Sequence, residues 1–200
     1  MPRRRRLLKN FAARLKEALP EAAKNKPVEI WFQDEARVGQ KGSLSYVWAL
    51  KGSRPPMVRD NRHDTAYILG AICPAREVGA AIITPAATTA FINAHLAEIS
   101  TQVSPGAIAA LIWDGAGWHR TGGKLTVPDN IVLLPSPPYA PELNPMENVW
   151  EYLRANKLSA GVWDTYDAIL DACKDAWNWL IAEPGRIRSI GTREWATVNI

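Results

Sequence analysis

The feature that most constrains the fold is an unbroken apolar run, Ala107–Trp113, followed directly by Asp114. A strand without polar alternation is typical of the centre of a sheet that is covered on both faces. Open α/β sheets bind their ligands beyond such strand ends, so an acid there is a candidate functional group. The other interpretation is a turn residue, because Asp before Gly commonly ends a strand.

The remaining periodicities predict a mixed sheet. The run Val28–Phe32 reads as a strand that stops at Gln33-Asp34-Glu35, which places Asp34 at a strand end as well. Two apolar runs joined by a short turn, Ala66–Cys73 and Val78–Thr84, predict a hairpin. A further buried strand is predicted at Ile131–Leu134. Capping signals and helical periodicity predict three helices: from Thr88 or Thr89 to about Val103, from Pro145 to about Asn156, and from Asp164 to about Ala182. Antiparallel strands first and helix-linked strands later indicate an α/β sheet with helices packed on it.

Charge divides the chain into a basic arm and a slightly acidic remainder. Residues 1–26 carry nine basic and two acidic side chains, a net charge of +7, so residues 27–200 total −3 of the chain's +4. We therefore expect a basic N-terminal arm over 1–26, with an amphipathic helix over Leu7–Leu19, and one globular domain over 27–200. A basic arm suits a phosphate backbone, although a solvated terminus has the same composition.

Several classes of protein are disfavoured. Cys73 and Cys173 lie a hundred residues apart with no histidine cluster nearby, which argues against a zinc site or a disulfide framework. No signal peptide and no membrane span is apparent. We expect a soluble cytoplasmic protein.

A proline-rich segment before the helix predicted to start at Pro145 introduces a third acid. Five prolines lie between positions 135 and 145; Asn144 is a natural N-cap, Pro145 suits the first helical turn, and Glu147 follows at the edge of the buried stripe. Glu147 alone can be explained as part of a capping box, although a helix cap does not need the long, rigid proline-rich segment that precedes it.

Together, Asp34, Asp114 and Glu147 make a donor set that Mg²⁺ prefers. Two such ions about 4 Å apart can activate an attacking hydroxyl and stabilise a leaving oxygen. Two acids at strand ends and one at a helix start could converge on such a two-metal site, but their spacing alone does not establish that they do.

At these residues the chain resembles the DDE transposases of the mariner superfamily, in its bacterial insertion-sequence branch. The matching stretches are Trp31–Arg37, Leu111–His119 and Pro138–Trp150, the last being highly specific. Thirty-two residues separate Asp114 from Glu147, close to the family's spacing. The resemblance covers roughly residues 27–160.

This resemblance implies an RNase H-like fold, a mixed five-stranded sheet with helices on both faces, in which Asp34, Asp114 and Glu147 are catalytic and bind two Mg²⁺ or Mn²⁺ ions. The implied chemistry is DNA strand cleavage at insertion-sequence ends followed by strand transfer. His119 and Glu35 are auxiliary candidates. The candidate DNA contacts are Arg3, Arg4, Arg5, Arg6, Arg37, Lys41, Lys51, Arg54, Arg59, Arg62 and Trp118.

The expected partners are terminal inverted repeats and target DNA, in a homodimeric complex at the bacterial nucleoid. Members of this family usually begin with a helix-turn-helix domain, whereas this sequence begins at what resembles the linker after it. We therefore expect that domain to be encoded separately or fused by frameshifting. The alternatives are a catalytically inactive DNA-binding or assembly remnant, and an RNase H-like nuclease without strand transfer.

Overall fold

The computed structural model describes residues 11–40, 49–53, 63–113, 125–136, 143–158 and 162–197. Five strands form one sheet in the order β3-β2-β1-β4-β5. They are β1 Val28–Gly39, β2 Thr65–Cys73, β3 Val78–Thr84, β4 Ile108–Trp113 and β5 Ile131–Pro135. Strand β1 pairs antiparallel with β2 and parallel with β4, so the predicted mixed sheet is confirmed.

Helices cover both faces of this sheet. They are α1 Phe11–Ala18, α2 Thr89–Gln102, α3 Met146–Leu153, α4 Tyr166–Ala182 and α5 Arg186–Gly191. Helix α3 continues into a π-helical turn, Arg154–Leu158. Helix α2 packs on one face, whereas α1, α3, α4 and α5 pack on the other.

Strand β4 is the buried centre that the apolar run predicts. All six of its residues are buried, with Ala109 and Leu111 in the cluster on the α2 face and Ala110 and Ile112 in the cluster on the opposite face. Alternate side chains of a strand point to opposite faces, so a strand that is covered on both sides is apolar throughout.

Strand β1 is longer than its sequence indicates, and the prediction that it stops near Asp34 is wrong. It pairs with β4 only up to Phe32, but it pairs with β2 as far as Gly39. Beyond Asp34 only one face is buried, because Ala36 and Val38 are buried while Arg37 between them is exposed. Asp34 therefore lies within β1, just past the point where β4 stops pairing with it.

Helix α1 packs into the core of the sheet. Phe11, Leu15 and Leu19 are buried, and Phe11 meets Trp195 edge-on at 5.1 Å between ring centroids. The described part of the basic arm thus shares the core of the globular domain. The first turn of the predicted helix, Leu7 to Asn10, lies outside the described residues.

The predicted cap at Thr88 is confirmed, since its side chain accepts from the N–H of Phe91 at 3.4 Å. The last long helix begins at Tyr166, two residues after the predicted Asp164, and the side chain of Thr165 caps it by accepting from the N–H of Ala168 at 3.2 Å. Within the described ranges, no helix is long and apolar enough to cross a membrane.

Candidate active site

Asp34 lies on the face of β1 that packs against α3. Its neighbours two positions away, Phe32 and Ala36, belong to the core cluster on that face. The side chain is half-buried, and its Oδ2 accepts a hydrogen bond from Trp150 Nε1 at 2.9 Å. Across the antiparallel pair, Asp34 faces Gly70.

Glu147 is positioned by the start of α3. The Asn144 side chain accepts from the N–H of Met146 at 3.1 Å and donates through Nδ2 to the carbonyl of Gln33 at 2.9 Å. Asn144 therefore bonds to the first helical residue, although Pro145 rather than Asn144 directly precedes the helix. Asn144 also ties the helix start to the residue before Asp34. The hydrogen bonds of the described residues do not include the reciprocal capping-box bond from Glu147 to the Asn144 backbone. The half-buried Glu147 carboxylate therefore does not act as the capping-box side chain of this helix.

The electrostatics of Asp34 suit a cation. Burial raises its pKa from 3.8 to about 7; the hydrogen bond from Trp150 opposes the rise, and the negative charges of Glu35 and Glu147 add to it. Neighbouring carboxylates in a partly desolvated place disfavour one another's charge, and a bound cation relieves this. The donor set of Asp34 and Glu147 fits a hard divalent ion, because Mg²⁺ prefers one or two carboxylates together with water and substrate oxygens.

Asp114 lies outside the described residues, as do Trp118 and His119. The parallel pairing of β1 with β4 extends to Phe32 and Ile112. Among the described residues alone, no group of three or more His, Cys, Asp and Glu is placed to hold a metal ion.

The other predicted site residues are scattered. Glu35 is half-buried and follows Asp34 on the alternate face of β1, yet its charge acts on Asp34. Arg37 is exposed on β1 rather than in the predicted loop, and Lys51 is exposed in a turn. The remaining predicted DNA contacts, Arg3, Arg4, Arg5, Arg6, Lys41, Arg54, Arg59 and Arg62, lie outside the described residues.

Two features of the site escape sequence reasoning. The sequence predicts only that Trp150 is a buried residue of α3. A buried indole N–H normally has a hydrogen-bond acceptor, and in the structure that acceptor is Asp34. Gly70 carries no signal in the sequence, yet a Cβ there would lie 2.7 Å from Cη2 of Trp150 and 2.9 Å from Cζ3 of Trp177. Both features depend on contacts between distant segments.

Comparison with known proteins shows the family to which this chain belongs. A Sinorhizobium fredii protein of unknown role, y4pE/y4sA, is 52% identical over 131 residues, which are 66% of this chain and 96% of that protein. The fold is similar to Mos1 transposase in the mariner paired end complex with Mn, with a TM-score of 0.64 and 15% identity. It is also similar to that protein in the Mos1 strand transfer complex, with a TM-score of 0.61 and 14% identity.

These matches cover 94% and 95% of this chain but only 56% of each Mos1 chain, so the chain spans just over half the length of those relatives. At this level of identity the likeness shows the fold, which is RNase H-like. Residues 29–169 match the family described as DDE superfamily endonuclease. The chain therefore belongs to the DDE superfamily endonuclease family.

Proposed function

We propose that this chain is a transposase catalytic domain that cleaves DNA strands at the ends of an insertion sequence and transfers them to a target. The observation that carries the proposal is the direct connection between the strand of Asp34 and the helix of Glu147. The side chains of Asn144 and Trp150 make that connection through hydrogen bonds. Family membership supports the chemistry, and the Mos1-like fold supports the arrangement.

Asp34 and Glu147 would hold the divalent cations together with Asp114, the third acid of the set. Two of the similar Mos1 structures are complexes with Mn and with Mg, which supports the choice of ion. When bound, such a pair of ions supplies activation of the attacking hydroxyl and stabilisation of the leaving oxygen. The protein's part is to hold its carboxylates in place before the ions and the DNA arrive, because a metal site depends on ligands fixed in advance.

We also assign DNA as the partner, as terminal inverted repeats and target DNA, in a homodimer at the bacterial nucleoid. Solved Mos1 structures of this fold are a strand transfer complex and paired-end complexes, one of them with the left transposon end. This chain spans 56% of a Mos1 chain. We propose that a helix-turn-helix domain, supplied separately or by frameshifting, recognises the ends. His119 and Glu35 are proposed as auxiliary groups.

A cleavage assay with matched variants tests the function. The purified chain is incubated with Mg²⁺ or Mn²⁺ and a DNA duplex carrying the inverted repeats that flank its gene. We expect nicking by the parent and its loss in Asp34→Asn, Asp114→Asn and Glu147→Gln. Glu151→Gln, an exposed acid one turn further along α3, is the matched control and should cut normally.

The outcomes separate the proposal from its alternatives. Products joined to a second duplex indicate strand transfer, whereas nicks without joining indicate a nuclease. If the parent remains inactive when a helix-turn-helix domain encoded upstream is added, the chain is an inactive remnant. If Asp114→Asn cuts as well as the parent, the proposed metal site is wrong.

A further inference from the structure

We propose that Trp150 is a positioning residue for the metal site, holding the Asp34 carboxylate through its indole N–H in the orientation that receives a cation. This inference rests on the proposed function. It concerns a side chain that contacts the carboxylate rather than the reacting atoms. Its basis is the 2.9 Å hydrogen bond from Trp150 Nε1 to Asp34 Oδ2.

The hydrogen bond from Trp150 determines which acceptor sites of the Asp34 carboxylate remain free. An ionised carboxylate offers about four acceptor sites, and an indole is a donor only. With one site of Oδ2 occupied by Trp150, Oδ1 and the remaining side of Oδ2 stay available to a cation. Carboxylates that bind metals are usually hydrogen-bonded in this way by a residue behind them.

Trp150 is itself rigidly held, as a positioning residue must be. It is 2% exposed and packs against Trp177, with their ring centroids 6.2 Å apart. Both rings occupy the space above Gly70, the residue that faces Asp34 across the β1–β2 pair. Any side chain at Gly70 would displace the rings, so the glycine allows the indole to reach the carboxylate.

The same tryptophan links both described acids. Glu147 and Trp150 are three residues apart on α3, so they lie on neighbouring positions of one helix surface. A shift of α3 along β1 would therefore move Glu147 and strain the Trp150–Asp34 bond together. Asn144 adds a second tie to β1 at the carbonyl of Gln33, which leaves the helix little freedom to slide.

The test compares two tryptophans. Trp150→Phe removes the donor and keeps an aromatic ring; Trp177→Phe makes the same change in the adjacent ring, which does not bond to Asp34. Mn²⁺ binding to the full chain is measured by calorimetry without DNA, and the Mn²⁺ dependence of cleavage is measured separately. We expect Trp150→Phe to weaken Mn²⁺ binding about 10- to 100-fold, as replacing such supporting residues usually does, and Trp177→Phe to change it by less than about threefold.

A thermodynamic cycle distinguishes positioning from general packing. The free energies of unfolding of Asp34→Ala, Trp150→Phe and the double variant are compared in EDTA, since residues that act through one bond are not additive. Additive effects, or equal Mn²⁺ affinities for the two Phe variants, would overturn the positioning role and leave the proposed function intact. If the parent bound no Mn²⁺ at all, the proposed function itself would fail, and the positioning role with it.

Discussion

Replacing Asp34 by Asn should make the metal-free protein more stable. Its pKa in the folded chain is about 7, against an ordinary value of 3.8, because burial and neighbouring carboxylates disfavour the charged form. At about 1.36 kcal/mol for each pH unit between the two values, the full difference is roughly 4 kcal/mol. Since Asp34 keeps some exposure to water, we expect Asp34→Asn to raise the free energy of unfolding by about 2–4 kcal/mol at pH 8.

The sign of the pH dependence follows from proton binding. Between about pH 4 and pH 7 the folded state keeps the Asp34 proton, whereas the unfolded state has lost it. The parent's stability contribution from this group therefore falls as pH rises through that window. Asn cannot ionise, and its carbonyl oxygen can still accept the Trp150 N–H. The advantage of the variant should thus be largest above pH 7 and shrink as the pH approaches 4.

Urea unfolding in EDTA at pH 8 and pH 5 measures this difference. Glu151→Gln, which removes an exposed carboxylate on α3, is the control and should leave the stability nearly unchanged. Added Mn²⁺ should stabilise the parent and not Asp34→Asn, because a ligand stabilises only the state that binds it. The reasoning fails if the Asn variant is less stable than the parent at pH 8, or if its advantage does not vary with pH.

Three further predictions concern the supports of the site and the core. Gly70→Ala should lower the free energy of unfolding by about 1–3 kcal/mol, because the new methyl group would overlap the ring of Trp150; an unchanged urea midpoint would refute this. Asn144→Ala should cost about 2 kcal/mol, since it removes both a helix cap and the partner of a β1 carbonyl; circular dichroism during urea unfolding measures the loss. Leu15→Ala should lower the free energy of unfolding by about 2–5 kcal/mol because this α1 side chain is fully buried. Lys16→Ala changes an exposed residue of the same helix and should be nearly neutral in thermal melts. Equal losses of stability for the two variants would show that α1 is not part of the core.

Local patterns predict much of this fold because the determining interactions are local or strongly periodic. The all-apolar strand β4 can be recognised because a strand buried on both faces has no polar positions, and the hydrogen bonds of Thr88 and Asn144 at their helix starts join residues two or three positions apart. The family motifs then indicate which acids to consider. That Asp34 and Glu147 act together is an expectation from the sequence; in the structure the charge of Glu147 contributes to the raised pKa of Asp34.

What sequence does not predict depends on distant contacts. The extension of β1 beyond Asp34 comes from pairing with β2, some thirty residues later in the chain, while the local composition there is polar and resembles a strand end. The hydrogen bond from Trp150 to Asp34 spans 116 residues. Gly70 matters only because two rings from separate helices lie over it.

The packing of α1 has a consequence for engineering. A DNA-recognition module fused to the N-terminus would be joined to a helix that is already fastened to the catalytic core through Phe11 and Leu15. The point at which α1 leaves the core therefore sets where such a module is anchored. Each residue inserted between the module and Phe11 would lengthen the tether by at most about 3.3–3.6 Å.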